Sequence, residues 1–325
     1  MATSLNGLLH DDPPIVVGLV NNMPDAALES TERQFRSLLG EASSGRSVRL
    51  RLFSIPQSQR SEAAHEYLQQ HYEHIDALWN AGLDGLIVTG AQPRARRVAE
   101  EPCWPDLIKI VEWAEDHTTS AIWSCLAAHV AVRHLDGIER RRFERKLSGV
   151  FECVKVAEHP LVYNAPSRWR VPHSRYYNLP EEELIAGDYH IVSRSSVVGA
   201  DIFTKQRNSL SVFVQGHPEY EPDTLFREYR RDIRAFVAGE TQTFPQVPCG
   251  YFAGEIEAKF VDFQEKLWRA PLVDRGWTFP QTDKVFAHTW RQSAIRLYSN
   301  WLSYLVEGRR RRAASRLFRV ESQTA

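Results

Sequence analysis

Residues 15–20 form an unbroken apolar run, Ile-Val-Val-Gly-Leu-Val. A run with no polar face suits a strand buried on both sides of a parallel sheet. Asn21-Asn22-Met23-Pro24 then breaks it. Over 27–39, Leu28, Phe35, Leu38 and Leu39 fall near helical spacing, and Gly40 closes the segment. Residues 48–55 alternate and predict a second strand. Residues 61–81 predict a helix rich in Glu, His and Gln. Residues 84–90 predict a third strand ending in a glycine turn. Over 106–117, Leu107, Ile110, Val111 and Ala114 share one helical face. A short apolar strand and an Ala-rich helix follow, meeting at Cys125. Strands alternating with helices imply an α/β fold, with a mostly parallel sheet flanked by helices.

The texture changes after residue 150. Residues 189–195, 201–205 and 210–215 read as antiparallel strands joined by polar turns such as Gln206-Arg207-Asn208-Ser209. Residues 223–238 predict a helix closed by Gly239. Residues 254–268 predict another, and 289–306 a Trp- and Tyr-rich C-terminal helix. The organisation expected is a flexible N-terminus over 1–14, a single domain over 15–306 and a basic tail over 307–325. The arginines at 309–312 suit a solvated helix end.

Composition narrows the function classes. The 325 residues are 25% charged and 43% hydrophobic, with a formal net charge of −1. That is ordinary soluble-protein usage, and it disfavours a nucleic-acid binder that works by neutralising phosphates. No apolar run approaches the ~18 residues that a membrane span needs. Asp11 and Asp12, with no apolar stretch beside them, argue against a secretory signal. Cys103, Cys125, Cys153 and Cys249 lack CxxC spacing. This disfavours zinc or a disulfide framework, so no metal is expected and the location expected is cytoplasmic.

Trp123-Ser124-Cys125-Leu126-Ala127 places a thiol where a strand turns into a helix. Such a turn lifts the sulfur out of the sheet and over a helix N-terminus, whose orphan N–H groups favour a thiolate. The same geometry serves the nucleophile of α/β-hydrolases. Downstream, the alternating strand 209–215 ends in Gly216-His217-Pro218-Glu219. Residues two apart on extended backbone point to one side. His217 is therefore placed to take the Cys125 proton, with Glu219 fixing its tautomer and raising its basicity. Candidate oxyanion donors are the N–H of Leu126 and a backbone N–H in the Gly90-Ala91-Gln92 turn, with Gln92 the residue chosen.

Several segments together resemble the homoserine O-succinyltransferases. They are Asn21-Asn22-Met23-Pro24, Glu32-Arg33-Gln34-Phe35, Asp84-Gly85-Leu86-Ile87-Val88-Thr89-Gly90-Ala91 and the helix from Trp104-Pro105 to Trp113. Further matches are Glu144-Arg145-Lys146-Leu147-Ser148-Gly149-Val150, Pro172-His173-Ser174-Arg175-Tyr176, Gly216-His217-Pro218-Glu219-Tyr220, Arg231-Asp232 and Thr289-Trp290-Arg291 with Asn300-Trp301-Leu302. The resemblance spans about residues 15 to 306. It implies a flavodoxin-like, class I glutamine-amidotransferase-like fold with a helical C-terminal extension. It also implies a Cys-His-Glu triad that moves an acyl group from acyl-CoA to the hydroxyl of L-homoserine, in methionine biosynthesis. Carried over by position, Cys125 is the nucleophile, His217 the base and Glu219 its orienter. Lys146, Ser174 and Arg231 match the family's substrate-binding positions. An Arg suits a substrate carboxylate because its planar fork pairs both oxygens. The implied co-substrate is succinyl-CoA or acetyl-CoA, with no bound cofactor, and a homodimer is compatible with the resemblance.

The chain departs from the family pattern twice. The lysines that follow Asn-x-Met-Pro in relatives are replaced by Asp25-Ala26-Ala27. After Thr89-Gly90-Ala91, relatives carry Pro and then a Gly or Glu tied to acyl preference. Here Gln92-Pro93-Arg94 aligns Arg94 with that position, which predicts that Arg94 pairs the free carboxylate of a succinyl group. Competing readings are a serine-type acceptor, a glutamine amidotransferase-type hydrolase and a non-enzymatic binding protein.

Overall fold

The computed structural model describes residues 13–56, 60–269, 278–280 and 286–324. β1 (Ile15–Val20) feeds α1 (Asp25–Ala42), and β2 (Val48–Phe53) feeds α2 (Glu62–His71). β3 (Gly85–Val88) leads through a loop to α3 (Trp104–His117), and β4 (Ser120–Ser124) turns directly into α4 (Leu126–Asp136). Next come β5 (Arg141–Lys155), β6 (Arg168–Asn178), the short α5 (Glu181–Ala186), β7 (His190–Ser195), β8 (Gly199–Gln206) and β9 (Leu210–Val214). Three helices close the chain: α6 (Thr224–Val237), α7 (Glu255–Arg269) and α8 (Arg291–Thr324). Among the described residues the strands make one sheet in the order β2-β1-β3-β4-β9-β8-β7-β5-β6. The half from β2 to β9 pairs in parallel. The rest, from β9 out to β6, pairs antiparallel.

A side-chain period of two sorts the strands between two cores. Ile15, Val17 and Leu19 of β1, Ile122 of β4, and Val212 and Val214 of β9 face the core that α1 and α8 cover. Val20, Trp123 and Phe213 face the opposite core, against α3 and α4. Both faces of β3, β4 and β9 are therefore dry, and β1 nearly so, whereas the edge strand β2 leaves Arg49 exposed. Trp301 of α8 lies on the sheet and donates its indole N–H to Ser120 Oγ at 3.0 Å, satisfying the polar atom it buries.

Four segments differ from the pattern-based expectation. The helix expected over 61–81 stops at His71. Glu73 then bridges to Phe53, and its N–H bonds Leu52 O at 2.8 Å, so backbone pairing with β2 ends the helix. A 3-10 turn, Ile75–Asn80, follows. β5 and β6 were not anticipated as strands. β5 begins with exposed Arg and Glu and buries little until Val150, so its alternation is masked. β6 contains Pro172, which a central strand would reject, but β6 is the last strand of the sheet. The C-terminal helix does not end near 306 but runs on to Thr324, through most of the expected tail. Of the N-terminal segment 1–14, residues 1–12 lie outside the described residues. Among the described residues, no helix is long and apolar enough to cross a membrane.

Candidate active site

Four parallel strands deliver their C-terminal ends to one cleft, the usual position for a ligand in a sheet of this kind. β1 ends in Asn21-Asn22-Met23-Pro24, β3 in Thr89-Gly90-Ala91-Gln92, β4 in Cys125 and β9 in Gln215-Gly216-His217. The cleft holds about 480 Å³. Its far wall comes from β5, β6 and α6.

Cys125 sits at the N-cap of α4 with φ 51° and ψ −112°. A non-glycine residue held there is strained, and such strain persists only where surrounding structure fixes it. Its N–H bonds Val214 O at 2.8 Å, and its own carbonyl accepts the His129 N–H at 3.3 Å. The turn is thus pinned to β9 on one side and to α4 on the other. Gly90 is required beside it. A Cβ there would stand 2.8 Å from Leu126 N and 3.3 Å from Cys125 Cβ. The Gly90 turn and the Leu126 N–H, which carries one candidate oxyanion donor, therefore lie against each other. Gln92 lines the cleft from the same loop.

His217 is 8% exposed, and its Nδ1 lies 2.8 Å from Glu219 Oε1. Its ring stacks on Tyr220 at 4.3 Å. Burial opposes a charged imidazole. The Glu219 carboxylate and a side-chain hydrogen bond to Cys125 outweigh it, and the pKa is pushed up to about 10. Cys125, His217 and Glu219 are thus brought together. The His217 N–H bonds Pro172 O at 2.8 Å, tying this loop to β6. Gly216 permits that approach, since a Cβ would meet Val171 Cγ1 at 2.5 Å.

Lys146, Ser174 and Arg231 also line the cleft. The β5–β6 register slips between Arg142 and Leu147, and this bulge turns Lys146 inward. Lys146 Nζ reaches Asp232 Oδ2 at 2.7 Å and Glu228 Oε2 at 3.5 Å. Burial opposes its charge, but the two carboxylates raise its pKa overall. The Ser174 hydroxyl donates to Glu228 Oε2. Arg231 is half exposed and pairs Asp232 at 2.8 Å. Glu228 joins all of these. Burial disfavours its carboxylate, yet Lys146, Arg231 and the hydroxyls of Ser174 and Tyr220 hold it down to about 2.

Arg94 stands apart from this cleft. The loop presents Gln92 and Pro93 to it, whereas the Arg94 side chain is exposed and is not part of the lining. The cause is Glu101, whose carboxylate accepts the N–H of Arg94 at 2.9 Å and of Ala95 at 3.2 Å. Arg140, as buried as Glu101, pairs with it at 2.6 Å and also donates to Ala95 O. This clamp folds the chain away from the cleft after Pro93. At the other departure, Asp25 is engaged by Arg60 at 3.0 Å and by the Ser61 N–H at 2.8 Å.

Sequence reasoning missed Glu228, the Glu101–Arg140 clamp and the floor of the cleft. The floor contains Arg175, whose Nη1 donates to Tyr177 O at 2.7 Å and Asn178 Oδ1 at 3.0 Å. His129 lies beside it, driven down to about 3 by burial and by Arg140 and Arg175, with Nε2 at 3.2 Å from Gln215 Oε1. A usable signal was present: Arg175 lies between His173 and Tyr177 on a strand whose alternate positions are buried. Outside the cleft, Cys153, His173 and Asp201 place their ligand atoms within 4.8 Å of one another. Arg175 Nε donates to His173 Nδ1 at 3.3 Å, and His173 Nε2 faces Asp201 Oδ1 at 3.4 Å.

The fold and cleft define an α/β protein with a cysteine on a strand-to-helix elbow and a His–Glu pair beside it. A solved structure of a glutamine amido transferase from Methylobacillus flagellatus is similar over 91% of this chain and 94% of that one, at 12% identity and a TM-score of 0.48. The homoserine O-succinyltransferase family model matches residues 5–311, and the chain belongs to that family. A homoserine O-succinyltransferase of Rhodopseudomonas palustris is 48% identical over 90% of this chain and 88% of its own length. One from Methylorubrum extorquens is 45% identical over 90% of this chain and 87% of its own.

Proposed function

We propose that the protein transfers a succinyl group from succinyl-CoA to the hydroxyl of L-homoserine, through an acyl-enzyme on Cys125, in methionine biosynthesis. The observation that carries this reading is the strained Cys125 elbow beside a His217–Glu219 pair at 2.8 Å, in a cleft whose far wall bears both charges. Family membership supports the acceptor and the acyl group.

Cys125 Sγ attacks the thioester carbonyl carbon, and the bond from that carbon to the CoA sulfur breaks. His217 gives the departing thiolate its proton. The oxyanion formed on the way takes the Leu126 N–H and a second N–H from the Gly90-Ala91-Gln92 turn. The homoserine hydroxyl then attacks the acyl-Cys125 carbonyl and passes its proton to His217. The bond to Cys125 breaks, leaving the ester and a regenerated cysteine. Trading one thioester for another makes the first step close to neutral in energy.

A zwitterionic amino acid needs one partner of each charge. Arg231 offers its fork to the carboxylate. Glu228, one helical turn away on α6, offers its carboxylate to the ammonium. Ser174 and Lys146 hold Glu228 in place.

The test is CoA release with product mass. Purified protein is given succinyl-CoA or acetyl-CoA with homoserine or serine. O-succinylhomoserine as the main product is expected. A serine ester, or glutamine hydrolysis in place of transfer, overturns the proposal. Brief incubation with succinyl-CoA and no acceptor should place one acyl adduct on the Cys125 peptide. An adduct on Cys103, Cys153 or Cys249 instead removes the acyl-enzyme step.

A further inference from the structure

The cleft is not closed at its α6 end. A second hollow of about 230 Å³ shares Gln92, Lys146 and Tyr176 with it. A third, of about 600 Å³, shares Arg145, Thr243 and Phe244 with the second. The three hollows are thus neighbours in series, running from the Cys125 cleft outward along β5, the 239–250 connection and α7.

The outer end of this groove differs in chemistry from the reaction cleft. Trp268 on α7 is 66% exposed, among the most exposed large apolar side chains described. Its ring meets Phe244 edge-on at 5.2 Å, and Phe244 in turn meets Phe236 edge-on at 4.8 Å. The indole is therefore braced by Phe244 while much of its surface stays in water. A braced, exposed aromatic face suits a stacked base, because every base has a π-face to offer. Arg145 lines both outer hollows, is exposed, and has no ion-pair partner among the described residues. Arg269 lies at the outer end and meets Glu265 at 3.5 Å. Glu265 is the carboxylate of the outer hollow, and Arg269 offsets it. The carboxylates of the middle hollow are Asp232, which Lys146 engages at 2.7 Å, and Glu240.

We propose that this outer groove, built around Trp268, Phe244, Arg145 and Arg269, binds the adenine nucleotide end of coenzyme A. This rests on the acyl-CoA reading above. A CoA thioester separates its reacting carbon from its adenine and phosphates by the whole pantetheine arm. An elongated groove with the nucleophile at one end, and an aromatic face and guanidinium groups at the other, matches that separation of chemistries. The middle hollow takes the arm, with amide and hydroxyl partners in Gln92, Tyr176 and Thr243.

Isothermal titration of the full-length protein with CoA and with pantetheine tests the groove directly. CoA is expected to bind at least about tenfold more tightly than pantetheine, because only CoA reaches the base-stacking face and the guanidinium groups. Trp268→Ala and Arg145→Ala should each remove about tenfold of CoA affinity and far less of pantetheine affinity, and Trp268→Phe should restore most of the loss. In turnover, the same two substitutions should raise KM for succinyl-CoA about tenfold and for succinyl-pantetheine much less. Equal affinity for CoA and pantetheine in the native protein overturns the groove. So does an equal loss of both in the variants. If CoA binds as expected but no CoA thioester is turned over, the donor reading fails and the groove stands. If succinyl-CoA is turned over with no nucleotide preference, the groove alone fails.

Discussion

Replacing Glu219 with Gln keeps the shape of the His217 partner and removes its charge. His217 is pushed up to about 10 from an ordinary 6.5. Burial alone would move it down, so the rise is the surplus of favourable partners, led by the Glu219 charge. At 1.36 kcal/mol per pKa unit, this surplus is roughly 5 kcal/mol in favour of imidazolium. Without that charge Cys125 is the main partner left to oppose burial, and His217 should titrate well below its native value. The sign of the stability effect follows. A group whose folded pKa is raised stabilises fully below its unfolded pKa, and the contribution drains as pH climbs through the folded one. The native protein should therefore lose a few kcal/mol of stability between pH 6.5 and about 10 from this group. Glu219→Gln should lose most of that slope, being less stable at pH 6.5 and approaching the native protein above pH 10. Urea unfolding at a series of pH values reads the difference. Turnover should fall by about 10²–10⁴, the usual worth of a well-oriented acid–base group. Parallel urea profiles across the window would mean that Glu219 is not what keeps His217 charged, and the argument for an ion-paired resting site would be lost.

Three further substitutions have defined outcomes. Cys125→Gly should remove the strain at φ 51° and raise stability by about 1 kcal/mol, while the acyl adduct disappears. An unchanged or lower Tm refutes the strain. Glu101→Ala leaves Arg140 buried without its partner and should cost about 3–5 kcal/mol in urea unfolding, a loss too large for an exposed pair to produce. Arg94→Ala should change the succinyl-to-acetyl preference by less than about twofold, because an exposed charge outside the cleft is screened by solvent. A large change would place Arg94 back in acyl recognition.

The parallel half of the fold was legible because β1 and β3 are short apolar runs closed by Asn21 or Gly90, and α1 and α3 each show a buried apolar stripe. Cys125, His217 and Glu219 could be read for a related reason. A cysteine on an elbow and a histidine at a strand end are local features, and each carries its context within a few residues. Glu228 was not legible. It sits inside an amphipathic helix, and only the fold brings it against Lys146 of β5 and Ser174 of β6. The two ends of the Glu101–Arg140 pair are likewise joined only through the packing of the loop after β3. Arg94 falls outside the cleft lining because its position depends on that same clamp. The strands β5 and β6 were hidden because half of β5 is solvated and β6 carries a proline that only an edge strand tolerates.

The antiparallel extension has a further consequence for how the site works. The parallel half positions the groups proposed for the chemistry, namely the Cys125 elbow, the Gly90 turn and His217. The extension and α6 position those proposed to hold the acceptor. Tyr220 connects the two. Its ring stacks on His217 at 4.3 Å, and its hydroxyl donates to Glu228 Oε1 at 2.7 Å. In the proposed reaction, an acceptor ammonium drawn to Glu228 would act on a carboxylate that already steadies the ring beneath His217. The groups proposed as base and as acceptor anchor are thus joined through one side chain. The joint is stiff, because Tyr220 is buried and its carbonyl also accepts the Trp290 indole N–H at 2.9 Å. A stiff connection of this kind favours a nucleophilic hydroxyl delivered at a fixed distance from the ammonium, over water, which has no ammonium to anchor it. In physical terms, that is what separates transfer to an amino acid from simple hydrolysis of an acyl-cysteine.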